Sequence, residues 1–172
     1  LAYRADIGQK IHDLERATDD LAGLQKHIEP LKKQLQSIGQ ALAAALRNPL
    51  VDAISHPGNP RFPVDIEAVV LAAKECGKAI EINNNSFKIR QGSLDRCGEF
   101  ARLCAKTGTL VALGSDAHYW ADVGRFEQAL AVIKEARVPR ELVVNATVAS
   151  FEAFLERRAA EKKTARKLSR EP

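Results

Sequence analysis

Asp116 and His118 stand two residues apart, directly after the run Thr109-Leu110-Val111-Ala112-Leu113-Gly114-Ser115. In extended backbone, residues i and i+2 point to the same side, so this carboxylate and imidazole can share a metal ion or a substrate. The preceding run is apolar or β-favouring and is stopped by a glycine, the pattern of a strand buried on both faces. It therefore sets the pair at the carboxyl end of a strand. The simpler alternative is that Asp116 caps a following helix, since Ser and Asp are common N-cap residues.

The same design occurs twice more upstream. Leu50 to Ser55 is a short apolar run ending in His56-Pro57-Gly58-Asn59-Pro60, a histidine on a rigid turn. Lys78 to Asn83 ends in Asn84, Asn85 and Ser86, and Leu142 to Asn145 is a short fourth run. Helical patterns lie between these strands. Asp65 is a natural N-cap for a helix over Ile66 to Cys76, stopped by Gly77, and Ser93 for one reaching Thr107. A third covers Val123 to Ala136, with Phe126, Ala129, Leu130 and Ile133 inward, and a fourth runs from Val148 to Arg158 on Phe151, Phe154 and Leu155. Strand, polar loop and helix in repetition define an α/β fold, a parallel barrel or open sheet, with its chemistry at the carboxyl edge. In the loop after the third run, Lys88, Arg90 and Gln91 either hold an anionic substrate group or are solvated.

Composition narrows the class. A chain of 172 residues carries one domain with a sizeable core, or part of one. Cys76, Cys97 and Cys104 sit in apolar patterns without a Cys-x-x-Cys, which points to buried thiols in a reduced, cytoplasmic setting. No apolar run approaches the roughly 20 residues of a membrane span, and the start lacks the signature of a secretory signal. The net charge of +4 resides in residues 156–172, where seven Lys or Arg oppose three Glu. The body is thus neutral, which argues against a nucleic-acid grip, and the basic tail over 159–172 reads as a solvated helix end.

Residues 1–47 have another character. Ile7, Leu14, Leu21, Ile28, Leu35 and Leu42 recur every seven residues, with Leu24, Leu31 and Ile38 three further on, an a/d seam that calls for a partner. Pro30 predicts a kink or a division near Glu29, giving a helical hairpin or a kinked coiled-coil arm. His12 and His27 have no ligand-like spacing and read as exposed helix residues.

Four stretches in order, Ile54-Ser55-His56-Pro57-Gly58-Asn59-Pro60, Glu81-Ile82-Asn83-Asn84-Asn85-Ser86-Phe87, Gly92-Ser93 and Val111 to His118, closely resemble the carboxyl-terminal half of the polymerase and histidinol phosphatase (PHP) family, in its YcdX-like phosphatase branch. The resemblance covers Ile38 to Leu155. It implies a distorted β/α barrel, here a half-barrel of about four parallel strands over 48–158, that hydrolyses phosphate esters with clustered zinc or manganese ions. It also implies His56, Asp116 and His118 as metal ligands and Asn83 and Ser115 as residues orienting them; Arg90 stays a candidate for orienting those ligands or binding substrate from its loop alone. Such ions would lower the pKa of a bridging water and neutralise phosphoryl oxygens.

The family's His-x-His strand and its remaining ligands belong to an amino-terminal half for which this chain has the heptad segment instead, an unrelated or rearranged leader. The implied expectation is the carboxyl-terminal portion of a metal-dependent phosphoesterase, acting on a small phosphorylated substrate and inactive alone. The alternative is a non-catalytic scaffold or association module. A homo-oligomer or a complementing chain is the expected partner.

Overall fold

The computed structural model describes the backbone of residues 2–168 and the side chains of residue 10 and residues 13–167. Ile7, His12, Arg170 and Glu171 thus lie outside the described side chains. The chain divides into two compact units, Leu1–Ser37 and Ile38–Pro172. This division falls ten residues before the expected one at 47/48, because Ile38, Leu42, Ala43, Ala45 and Leu46 pack into the core of the second unit.

Helix α1 (Ala2–Arg47) runs unbroken through Pro30, so the expected separation into two helices does not occur. A mid-helix proline costs about 3 kcal/mol through one lost donor and a ring clash. Leu, Lys, Gln and Ala around it are strong helix formers, and the helix continues past it to Arg47.

In the second unit, β1 (Ala53–Ile54), β2 (Ala79–Asn83) and β3 (Leu110–Gly114) form a parallel sheet in that order. Glu81 pairs with Ala112, and Asn83 with Gly114. Strand alternation divides β2: Ile80 and Ile82 face the helices, while Ala79, Glu81 and Asn83 face the other side. The helix-covered face is the main core. Ile54, Ile80, Ile82 and Val111 meet Val69, Val70 and Ala73 of α2 (Ile66–Glu75). They also meet Cys97, Phe100, Ala101 and Cys104 of α4 (Ser93–Thr107), after a four-residue helix α3 (Ser86–Ile89) in what was expected to be loop.

The sheet is not closed, and it has three strands rather than four. At the expected fourth position Val143 makes a single parallel bridge to Val111. A 3₁₀ turn over Arg140–Leu142, set by Pro139, uses the amides of Leu142 and Val143 before a strand can start. The Asn145 side chain takes over the ladder: its Oδ1 accepts from Leu113 N–H at 3.0 Å and its Nδ2 donates to Leu113 C=O at 2.8 Å.

Asp65 caps α2 as expected, accepting from Ala68 N–H at 3.0 Å. Ser93 does not cap α4; Gly92 holds that position in the left-handed region, and the Ser93 hydroxyl is buried without a partner. Helix α5 (Glu127–Glu135) is shorter than expected, with a 3₁₀ turn over Trp120–Asp122 before it. Its amino end is capped from afar: Asn84 Oδ1 accepts from Gln128 and Ala129 N–H at 2.9 and 3.0 Å. Leu130 is half exposed rather than inward, and Ala129 and Val132 carry the burial.

Helix α6 (Val148–Leu168) continues ten residues beyond its expected end. Phe154 is buried against Ala79 and Val144, whereas Phe151 and Leu155 are exposed. The extension is not simply solvated. Arg158, only 1% exposed, donates to Asp52 Oδ1 at 3.0 Å and to the carbonyls of Pro49 and Val51, and Lys162 donates to Asp52 Oδ2 at 2.5 Å. Glu161 closes the cluster on Arg158. A buried guanidinium survives because nearly every donor is matched.

Candidate active site

Three chain segments leave the sheet at its carboxyl edge: Ser55-His56 after β1, Asn83-Asn84-Asn85 at the end of β2, and Gly114 to His118 at the end of β3. The amide of Asn84 donates to Gly114 C=O at 2.7 Å, tying the last two together. Among the described residues, three non-glycine residues have positive φ, and two of them are His56 (35°) and Asp116 (52°); the third is Arg137. For a residue with a Cβ this region costs about 1–3 kcal/mol and persists only where surrounding contacts enforce it. Two of the three residues named from sequence as ligands, His56 and Asp116, are thus held in strained backbone.

At His56 the enforcing group is Glu81, which sequence reasoning did not single out. Its Oε2 accepts from His56 N–H and from the Ser55 hydroxyl, both at 2.6 Å, and its Oε1 lies 3.4 Å from Asn83 Nδ2. Gly114 makes room for it: a Cβ there would overlap Glu81 Oε1 and lie 2.9 Å from Cδ. Gly58 has a similar purpose in the histidine loop, where a Cβ would lie 2.5 Å from Cys97 Sγ and 3.3 Å from Cys97 N. The signal for Glu81 was available, because strand alternation puts it on the same face as Asn83.

Asp116 does not cap a helix; no helix starts before the 3₁₀ turn at Trp120. Its carbonyl lies 2.8 Å from His118 Nδ1 and accepts a long bond of 3.5 Å from Asn85 Nδ2. A carbonyl only accepts, so His118 carries its proton on Nδ1 in this contact, and in neutral imidazole Nε2 keeps a free lone pair. The Asp116 carboxylate is half-buried. Its Oδ2 makes no hydrogen bond and stands 3.7 Å from the Arg90 guanidinium.

Arg90 is therefore not the solvated alternative. Its NH1 donates to Ser86 Oγ at 2.7 Å, and Asn83 Oδ1 accepts from both Ser86 Oγ (3.0 Å) and Ser86 N–H (2.8 Å). A chain Asn83, Ser86, Arg90, Asp116 results. Asn83 acts on Asp116 through two intermediaries rather than by touching it, and Ser86 is a further member missed from sequence. Ser115 is half-buried between Gly114 and Asp116; Lys88 and Gln91 are exposed, as is His27 in the first unit.

Zinc or manganese at this edge would need three or four donors at about 2.0–2.2 Å. Among the described residues no three His, Cys, Asp or Glu side chains gather closely enough to hold a metal ion. His56 and Asp116 are separated by an intervening strand, roughly 10 Å at the backbone. The Arg90 cation stands beside the orphaned carboxylate oxygen, where an ion would have to sit. The residues present do not by themselves fit a metal site. A cavity of about 570 Å³, lined by Leu113, Phe126, Leu130, Ile133 and Arg140, involves none of the edge residues and is not part of this site.

No family model matches the chain. It is similar to several proteins named "Probable phosphatase". One from Acetivibrio thermocellus is 50% identical over 131 residues, covering 76% of this chain and 54% of the relative. One from Caldicellulosiruptor bescii is 51% identical over 116 residues, 67% of this chain and 48% of the relative. A third, from Caldanaerobacter subterraneus subsp. tengcongensis, is 41% identical over 154 residues, 89% of this chain and 60% of the relative. That last match is longer than the second unit, so the likeness is not confined to it. The chain spans about half the length of the curated relatives it matches. No helix among the described residues is long and apolar enough to cross a membrane.

Proposed function

We propose that this chain carries part of a phosphate-ester-hydrolysing site of the PHP type, in its YcdX-like branch, and that the site works only with metal donors additional to the described ones. The observation that carries the reading is the pair of strained residues, His56 and Asp116, on the loops that follow β1 and β3 at one sheet edge. The order of the four matching stretches and the names of the relatives support it.

In this reading the edge recognises a small phosphorylated substrate. The Arg90 guanidinium, fixed by Ser86, is the cation suited to phosphoryl oxygens, and Asp116 keeps it in place. The contact of His118 with the Asp116 carbonyl uses Nδ1 and leaves Nε2 out of it, and Glu81 holds the His56 amide. With His56, Asp116 and His118 alone a divalent ion is short of ligands, so weak zinc or manganese binding and no stand-alone turnover are expected. Buried free thiols support a reducing, cytoplasmic setting.

The test is hydrolysis of an aryl phosphate with added Mn²⁺ or Zn²⁺, by the chain alone and mixed with the amino-terminal half of one of the relatives. Turnover only in the mixture, lost in Asp116→Ala and His118→Ala, is the expected result. Turnover that survives both substitutions overturns the reading. The lack of a grouped donor set among the described residues favours one other reading, a non-catalytic association module. An inert mixture that forms a stable complex supports that instead.

A further inference from the structure

Within the first unit, Leu14, Leu21, Leu24, Ile28 and Leu31 are between 43% and 68% exposed. They occupy the two apolar positions of a heptad, 14, 21 and 28 at one and 24 and 31 at the other. Ala17 fills the remaining seam position. Gly23 and Pro30, seven apart, fall on the opposite side of the helix, where neither obstructs a partner. A row of large apolar side chains this exposed is a coiled-coil face awaiting a second helix.

The charges choose that helix and its direction. Residues 13–20 hold Asp13, Glu15, Asp19 and Asp20 against Arg16, whereas residues 26–33 hold Lys26, Lys32 and Lys33 against Glu29. The two halves of the seam are thus net −3 and +2. Two such helices side by side in parallel would set acid against acid and lysine against lysine. Turned head to tail, each acidic half lies along the basic half of the other.

The antiparallel register also matches the apolar residues. With the two-fold axis between Ala22 and Gly23, Leu14 meets Leu31 of the second copy, Leu21 meets Leu24, and Ala17 meets Ile28. We propose that the first unit pairs antiparallel with the same segment of a second copy of this chain through this seam. The inference is independent of the phosphatase reading.

Sedimentation equilibrium of the full chain tests it, together with a Leu21→Glu variant whose fold is followed by amide exchange in β2 and β3. The expected result is a wild-type dimer weakened by salt, and a folded variant whose dissociation constant is raised at least about 100-fold by two charges facing leucines. A wild-type monomer at 100 µM refutes the proposal, taking that concentration as roughly ten times a micromolar-range dissociation constant. So does a dimer that tolerates Leu21→Glu, and so does a variant that unfolds, because the seam would then belong to the chain's own core. Direction is read by disulfide formation: Leu14→Cys should cross-link to Leu31→Cys in a mixture faster than either variant links to itself. Faster self-linking overturns the antiparallel arrangement.

Discussion

Replacing Gly114 by alanine should destabilise the second unit only as long as Glu81 is present. The backbone at Gly114 does not require glycine, since its φ is not positive, so the substitution introduces no backbone strain. The added methyl overlaps the Glu81 carboxylate, with Cδ at 2.9 Å and Cγ at 3.3 Å. Two responses are open. If the strands part, overpacking costs about 1–3 kcal/mol. If the carboxylate turns aside, it loses the bonds from Ser55 Oγ and His56 N–H, and a bond to a charged group is worth about 1.5–3 kcal/mol. With Glu81→Ala already made, the three atoms nearest the methyl are gone, and Gly→Ala should be neutral or stabilising by up to about 1 kcal/mol through the unfolded chain. The double-mutant coupling is therefore about 2 kcal/mol or more, a factor of roughly 30 in the opening equilibrium. Urea-dependent native-state hydrogen exchange of the Ile80 and Ile82 amides measures it. A coupling below about 0.5 kcal/mol would mean the two residues act independently and the account of Gly114 is wrong. The His56 amide should also exchange faster in both single variants.

Two further predictions concern the lower part of the unit and the thiols. Burial pushes the Asp52 carboxyl up, but hydrogen bonds and charges from Lys162 and Arg158 outweigh it and hold it below the ordinary 3.8. A depressed carboxyl contributes stability that is full above its unfolded pKa and is lost as pH falls through the folded one. Exchange protection of α6 should thus weaken below about pH 4, and Asp52→Asn should remove that dependence. Burial pushes the thiols of Cys97 and Cys104 up to about 11 and about 12, while Cys76 is half-buried. A disulfide reagent at pH 8 should titrate one thiol per native chain and three in denaturant; fast reaction of three native thiols would contradict the described core.

Much of the carboxyl edge was readable because each strand announces itself twice, by an apolar run and by the polar residues that stop it. Leu110 to Gly114 followed by Asp116 and His118 is the clearest case. What escaped was long-range. Asn84 caps a helix more than forty residues away, Asn145 replaces a strand with one amide, and Arg158 reaches back to Asp52; no local period encodes such partners. Glu81 escaped for another reason, since an acid inside a strand reads as a surface residue until the opposite face proves to be helix-covered. Pro30 does not divide α1, because the cost of one proline is set against a long row of helix formers on both sides of it.

The most direct measurement is an amide and imidazole NMR titration of the full chain with inorganic phosphate, with and without Zn²⁺. Shifts confined to His56, Asn85, Arg90, Asp116 and His118, with Leu130 and Ile133 of the separate cavity unmoved, are the predicted result. Shifts at the cavity with the carboxyl edge silent would contradict the assignment of the site.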